Sequence, residues 1–170
     1  YVILRTDGAS EWAGHGLAFT IGRGNEVVCA AMRALLPRVL GHDLGAIASD
    51  MAAFWRHVTG DSQLRWLGPD KGVIHMAAAA LINAVWDLQA KAAGKPLWKL
   101  LVDLPPAALV GCVDFRYLTD ALTPEEALEL LERQAAQKPV RESRLAQEGL
   151  RAYTTSAGWL GYSDAEIRKR

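Results

Sequence analysis

From Met76 to Trp86 every position except Asn83 is apolar. A helix that is apolar all round offers no face to water, so this pattern predicts a buried central helix beginning near Val73. At 11 residues the run is too short to cross a bilayer. Asp87, Gln89 and Lys91 return the helix to water, with Asp87 and Lys91 spaced as an i,i+4 acid-to-base pair. Gly94 is a stop signal, and Pro96 can open a second short helix over Leu97 to Val102. The alanines Ala77 to Ala80 leave room for neighbouring backbones to come close.

Before this segment, Tyr1 to Thr6 and His15 to Ile21 read as two strands of an antiparallel hairpin turned at Asp7-Gly8. Gly22-Arg23-Gly24 breaks the second strand. Asn25 is placed as the N-cap of a helix reaching about Leu40, with Glu26 near its positive end and Gly41 closing it. An amphipathic helix from about Ala46 to Val58 aligns Ile47, Met51, Phe54, Trp55 and Val58. Thr59 to Gly72 is a polar loop carrying Trp66.

After the central helix, Pro105-Pro106 starts a helical turn, and Gly111 to Tyr117 reads as a strand. Thr123-Pro124-Glu125-Glu126 is a capping box with proline at the first helical position, opening a helix to about Gln137. Lys138 to Glu148 is charged and solvated, Gly149 stops it, and Ala152 to Ser156 reads as a strand. Ser163-Asp164-Ala165-Glu166 is a second capping box with four residues after it. This strand and helix look like the start of a βα repeat, whose parallel partner strand would need a crossover. The sequence therefore points to truncation at both ends.

A chain of 170 residues with 51% hydrophobic and 22% charged positions buries a sizeable core without staples. Nineteen basic and nineteen acidic residues cancel, which argues against nucleic acid or an anionic membrane as main partner. Cys29 and Cys112 are too few for a secreted disulfide framework, so the reading is intracellular, cytoplasmic or mitochondrial.

Motif by motif, the chemistry is sparse. Gly22-x-Gly24 lacks the third glycine of a dinucleotide fingerprint because Val27 stands there, and Gly94-Lys95 lacks the magnesium-holding hydroxyl of a P-loop because Pro96 comes next. The four histidines show no metal-ligand spacing, and His57 with Asp61 is the one nearby pair. His75 reads as a partly buried, hydrogen-bonded residue, and Asn83 as a buried amide that must find partners. Trp66 and Trp159 fall in loops where they could line a pocket. Thr154-Thr155-Ser156 at a strand end is the most attractive polar group, because catalytic residues of parallel barrels sit at the carboxyl ends of strands. Thr155, Ser156 and Trp159 are the candidate substrate-binding residues; no catalytic residue and no metal ligand is assigned.

The run Ala84 to Leu101 (AVWDLQAKAAGKPLWKLL) resembles the segment that ends the capping domain of the enolase superfamily, mandelate racemase-like branch. The stretches Phe19 to Glu26, Ser62 to Gly72 and Tyr153 to Tyr162 are similar to the L-fuconate dehydratase group, which includes mitochondrial enolase superfamily relatives. The likeness runs the whole chain. It implies an α+β fold: an enolase-type N-terminal capping domain over residues 1–110, made of an antiparallel hairpin plus a helical bundle, whose first strand would precede Tyr1. Residues 111–170 would form the connecting segment and the truncated start of a (β/α)8 barrel.

The resemblance further implies a magnesium-dependent (Mg2+) lyase that removes the proton beside a carboxylate and expels a hydroxyl, giving a 2-keto-3-deoxy sugar acid. Its partners would be an acid-sugar substrate, the missing barrel domain and further copies in a homo-oligomer. The group's Lys-x-Lys motif, acidic metal ligands and His-Asp dyad have no counterpart in these residues, so the chain alone is expected to be inactive and to bind no metal. The alternative is a non-enzymatic product serving as a binding or regulatory module through surface the barrel would cover.

Overall fold

Two short antiparallel strands, β1 (Val2–Arg5) and β2 (Ala13–Gly16), open the chain in the computed structural model, which describes residues 1–8, 12–68, 70–149 and 161–169. Val2 faces Gly16, Ile3 faces His15, Leu4 faces Gly14 and Arg5 faces Ala13. The ladder continues into the turn, where the Thr6 N–H donates to the Trp12 carbonyl at 3.0 Å. β2 ends at Gly16, short of the expected Ile21, because its pairing partner runs out there: Val2, the first residue of β1, faces Gly16.

Helix α1 (Asn25–Leu35) continues as a 3-10 turn, Leu36–Arg38. Its N-cap is Gly24, at φ 84°, and not Asn25; the Asn25 Oδ1 instead accepts the Thr20 hydroxyl at 2.8 Å. The expected single helix from Ala46 to Val58 is two, α2 (Leu44–Ser49) and α3 (Met51–Thr59). Asp43 caps α2 by accepting the Ala46 N–H, and Asp50 breaks the run by turning its carboxylate to the Ala53 N–H, both at 2.8 Å. The apolar face survives the break, with Ile47, Met51, Phe54 and Val58 all buried.

Helix α4 (Val73–Ala92) runs through the core and packs on β2, α1, β1 and α3. Leu81 and Val85 of α4, Leu35 of α1 and Val58 of α3 are the largest fully buried side chains among the described residues and belong to one core cluster. The whole helix has 20 residues, and an 18-residue window of it reaches a mean hydropathy of 1.3, enough by length and composition to cross a membrane, but 61% of that window is buried within the fold. Asn83 is exposed, contrary to its expected burial, because Met76, Ala79, Asn83 and Trp86 recur at helical spacing along one less covered stripe. Gln89, expected in water, is the buried polar residue: it lies four and eight positions beyond Val85 and Leu81 on the inner face.

Gly94, at φ 62°, ends this helical region, and α5 (Leu97–Asp103) and α6 (Pro106–Gly111) come after it. The strand expected from Gly111 to Tyr117 does not form. Pro106 starts a helix that takes in Gly111, and Asp114 then caps a 3-10 turn, Phe115–Tyr117, by accepting the Arg116 N–H at 3.1 Å. A strand there would also lack a neighbour, since β1 and β2 make the one sheet among the described residues.

The chain divides into two compact units, Tyr1–Glu129 and Leu130–Arg170. Helix α7 (Pro124–Gln134) begins with the expected reciprocal box: the Thr123 N–H donates to Glu126 at 2.8 Å, and the Glu126 N–H to the Thr123 hydroxyl at 3.2 Å. In the second unit, α8 (Lys138–Glu148) is solvated and ends at Gly149, and α9 (Asp164–Lys169) opens on the Ser163–Glu166 box. The expected strand Ala152 to Ser156 lies outside the described residues.

Candidate functional site

Thr155, Ser156 and Trp159 lie outside the described residues. Trp66 is described, on a 3-10 turn (Arg65–Leu67) and 76% exposed.

The tightest structure in the first unit is where β2 meets α4. A side chain on Gly14 would meet the Ala84 carbonyl oxygen at 2.0 Å, and one on Gly16 the Ala80 oxygen at 1.8 Å, so strand and helix touch backbone to backbone. Rungs alternate in an antiparallel ladder. With Thr6 bonded to Trp12, the Ala13 and His15 backbone groups point away from β1, and α4 supplies their partners. The His15 N–H donates to Asp87 Oδ2 at 2.8 Å, and Lys91 Nζ donates to both the Ala13 carbonyl and Asp87 Oδ2 at 2.6 Å. Burial, the largest influence on Asp87, pushes its carboxyl up. The hydrogen bonds from Lys91 and the His15 N–H, with the lysine charge, outweigh that and hold it below the ordinary aspartate value. This clamp fixes the strand from which the exposed apolar loop leaves: Leu17, Phe19 and Ile21 all face solvent.

A second polar group joins the loop before α4 to the turn after α6. The Tyr117 hydroxyl donates to Asp70 Oδ2 at 2.5 Å, and Asp70 Oδ1 lies 3.6 Å from His75 Nε2. The Tyr117 hydroxyl holds the Asp70 carboxyl below its usual range, and Asp70 in turn pushes the phenol up. The His75 ring stands edge-on to Trp55, 5.7 Å between centroids. Sequence reasoning passed over Asp70 and Tyr117. The signal available was an acid and a histidine five residues apart across a helix start.

Between α2, α4, α5 and α6 runs a groove of about 560 Å3, floored by small residues such as Ala48, Ala92 and Ala108. Gln89 lines it and donates its amide to Met51 Sδ at 3.2 Å. Cys112 lines it too, its thiol pushed up by burial and then by the Asp50 charge.

Among the described residues no three of His, Cys, Asp and Glu converge in a way that could hold a metal ion. Asp61 is ion-paired to Arg38 at 3.1 Å, and His57 packs its ring on His42, so the pair noted in the sequence is not a ligand set. The described residues therefore do not fit a magnesium site, and no chemical step here runs through one.

Residues 1–102 match the family model of the mandelate racemase / muconate lactonizing enzyme N-terminal domain. Over 169 residues, 99% of this chain, the sequence is 55% identical to mitochondrial enolase superfamily member 1 of Bos taurus and 52% identical to that of Homo sapiens. Over 170 residues it is 51% identical to an L-galactonate dehydratase of Hypocrea jecorina. The crystal structure of human mitochondrial enolase superfamily member 1 is similar with a TM-score of 0.86 and 51% identity, covering 98% of this chain. The chain spans 38% of the length of the bovine and human relatives.

Proposed function

The chain belongs to the mandelate racemase / muconate lactonizing enzyme N-terminal domain family, and from that premise we propose that it is the capping part of a hydro-lyase that dehydrates a sugar acid. One observation carries the reading: identity of 51–55% along the whole chain to mitochondrial enolase superfamily member 1 and to an L-galactonate dehydratase. Residues 1–110 serve as the cap, and 111–170 lead into the first strand and helix of a barrel.

The reaction removes the proton on C2, beside the carboxylate, and expels the C3 hydroxyl as water; the resulting enol becomes a 2-keto-3-deoxy acid. The substrate is L-fuconate. L-Galactonate, on which the named relative acts, is the same molecule with a hydroxyl on C6, so a pocket for one needs little change to admit the other. In the complete enzyme a magnesium ion, held by residues other than the described ones, would supply positive charge beside the carboxylate. This chain's part is to close over the substrate and exclude water. The exposed Leu17, Phe19 and Ile21 support that role, and Thr155, Ser156 and Trp159 make the substrate contacts. The complete enzyme is a homo-oligomer of the mitochondrion or cytoplasm. A second reading, a binding module that uses those same exposed apolar residues, is favoured only by their exposure.

The experiment is a graft. This chain replaces the matching segment of the human relative, and formation of the 2-keto-3-deoxy acid from L-fuconate and L-galactonate is followed with magnesium present, beside the 170-residue chain alone. Activity in the graft alone supports the reading. Turnover by the isolated chain defeats the proposed inactivity, and a folded graft inert on both acids defeats the substrate class.

A further inference from the structure

Asp70 and Tyr117 stand 47 residues apart in sequence and share one hydrogen bond. Asp70 closes the loop that opens α4, and Tyr117 ends the turn by which the chain leaves α6. The residue after Asp70, Lys71, has φ 68°, the one non-glycine in the left-handed region among the described residues. A side chain held there is strained, because its Cβ crowds the following carbonyl oxygen. Gly72, next along, gives its carbonyl to the N–H groups of His75 and Met76, both at 3.1 Å, so the strained residue adjoins the first bonds of α4. On the other side of the latch, the Leu118 N–H donates to the Phe115 carbonyl at 2.8 Å.

We propose that Asp70 and Tyr117 form a latch under tension: the hydrogen bond holds the turn Phe115–Tyr117 to the start of α4, and Lys71 strains against it, so that turn and loop release together. His75, with Nε2 toward Asp70 and its ring against Trp55, is the seat on which Asp70 rests. The latch thereby makes the course of the chain beyond α6 a two-position element and not a fixed one. It is independent of the sugar-acid reading, since no substrate contact enters it.

The test is amide hydrogen exchange by NMR on the 170-residue chain and on Y117F, K71G and the double variant. Y117F removes one exposed hydroxyl and retains the ring. It should speed exchange at Leu118 and also at His75 and Met76, each about threefold to tenfold, the opening factor of one such bond. In K71G/Y117F the Leu118 amide should stay fast while His75 and Met76 return to within about twofold of the parent, because glycine carries no strain at that φ. The β2 amides should be unchanged in all variants and report the intact fold. Acceleration at Leu118 alone would show a tether without tension and overturn the proposal. So would failure of K71G to restore His75 and Met76, or no acceleration anywhere.

Discussion

His15 and Asp87, 72 residues apart, are joined by a single bond from the His15 N–H to the Asp87 carboxylate at 2.8 Å. With Lys91 on the Ala13 carbonyl, the acid-base pair of α4 closes the outer edge of β2. Edge strands left open are a liability, and here a helix covers one with side chains. Asp87→Ala strips the His15 N–H of its acceptor and leaves the Lys91 ammonium without its counter-charge. We expect a loss of about 1–2 kcal/mol, moderated by the partial exposure of the pair, as a lower urea midpoint. Lys91→Met should cost less, because Asp87 keeps the His15 N–H.

Gly16→Ala should be far worse than its size implies. The added carbon falls 1.8 Å from the Ala80 oxygen, against backbone that cannot step aside. We expect at least about 3 kcal/mol lost, the upper end of what overpacking brings. Gly111→Ala, with nothing within 4 Å of the new carbon, should be neutral or slightly stabilising. Thermal melts of the two variants side by side check both.

Asp103 holds two lysines, Lys95 and Lys99, each at 2.6 Å. The Lys95 hydrogen bond, then that of Lys99, pulls its carboxyl down to about 2. A folded-state value below the unfolded one means the contribution is complete above the unfolded value near 3.8 and fades as pH falls toward 2. Asp103→Asn should therefore flatten the decline of Tm over that window and leave its slope near neutral pH unchanged. A parallel decline in variant and parent would show that the lysines do not act through Asp103.

Thr155→Val and Ser156→Ala, made in the graft, should raise KM for L-fuconate about tenfold each if the hydroxyls bond the substrate, while melting within a few degrees of the parent graft. Unchanged KM in both would remove them from the pocket.

The central helix was legible because its signal is long and one-sided: ten apolar residues around Asn83 can only be buried. The orientation of single residues within it was not. Asn83 faces water and Gln89 faces the core, because a nearly uniform run hides where its least covered stripe falls, and that stripe is set by where β2 and α1 pack. Capping boxes at Thr123 and Ser163 were readable since their partners are three residues apart. The break at Asp50 was not, because the apolar spacing passes through it undisturbed. Gly111 to Tyr117 has strand-forming residues, but strands need neighbours, and a neighbour is not a local property. Asp70 meeting Tyr117 is non-local in the same way.

The backbone contact between β2 and α4 also bears on which parts of the chain open together. Gly14 and Gly16 bring no side chains of their own, so what β2 covers belongs to α4, and a two-stranded ribbon alone is marginal in water. Ribbon and helix thus form one cooperative unit, joined across most of the first ninety residues. Exchange at the β1 and β2 amides should track the opening of the middle of α4, around Ala80 to Asp87, which β2 touches, and not a separate, earlier fraying.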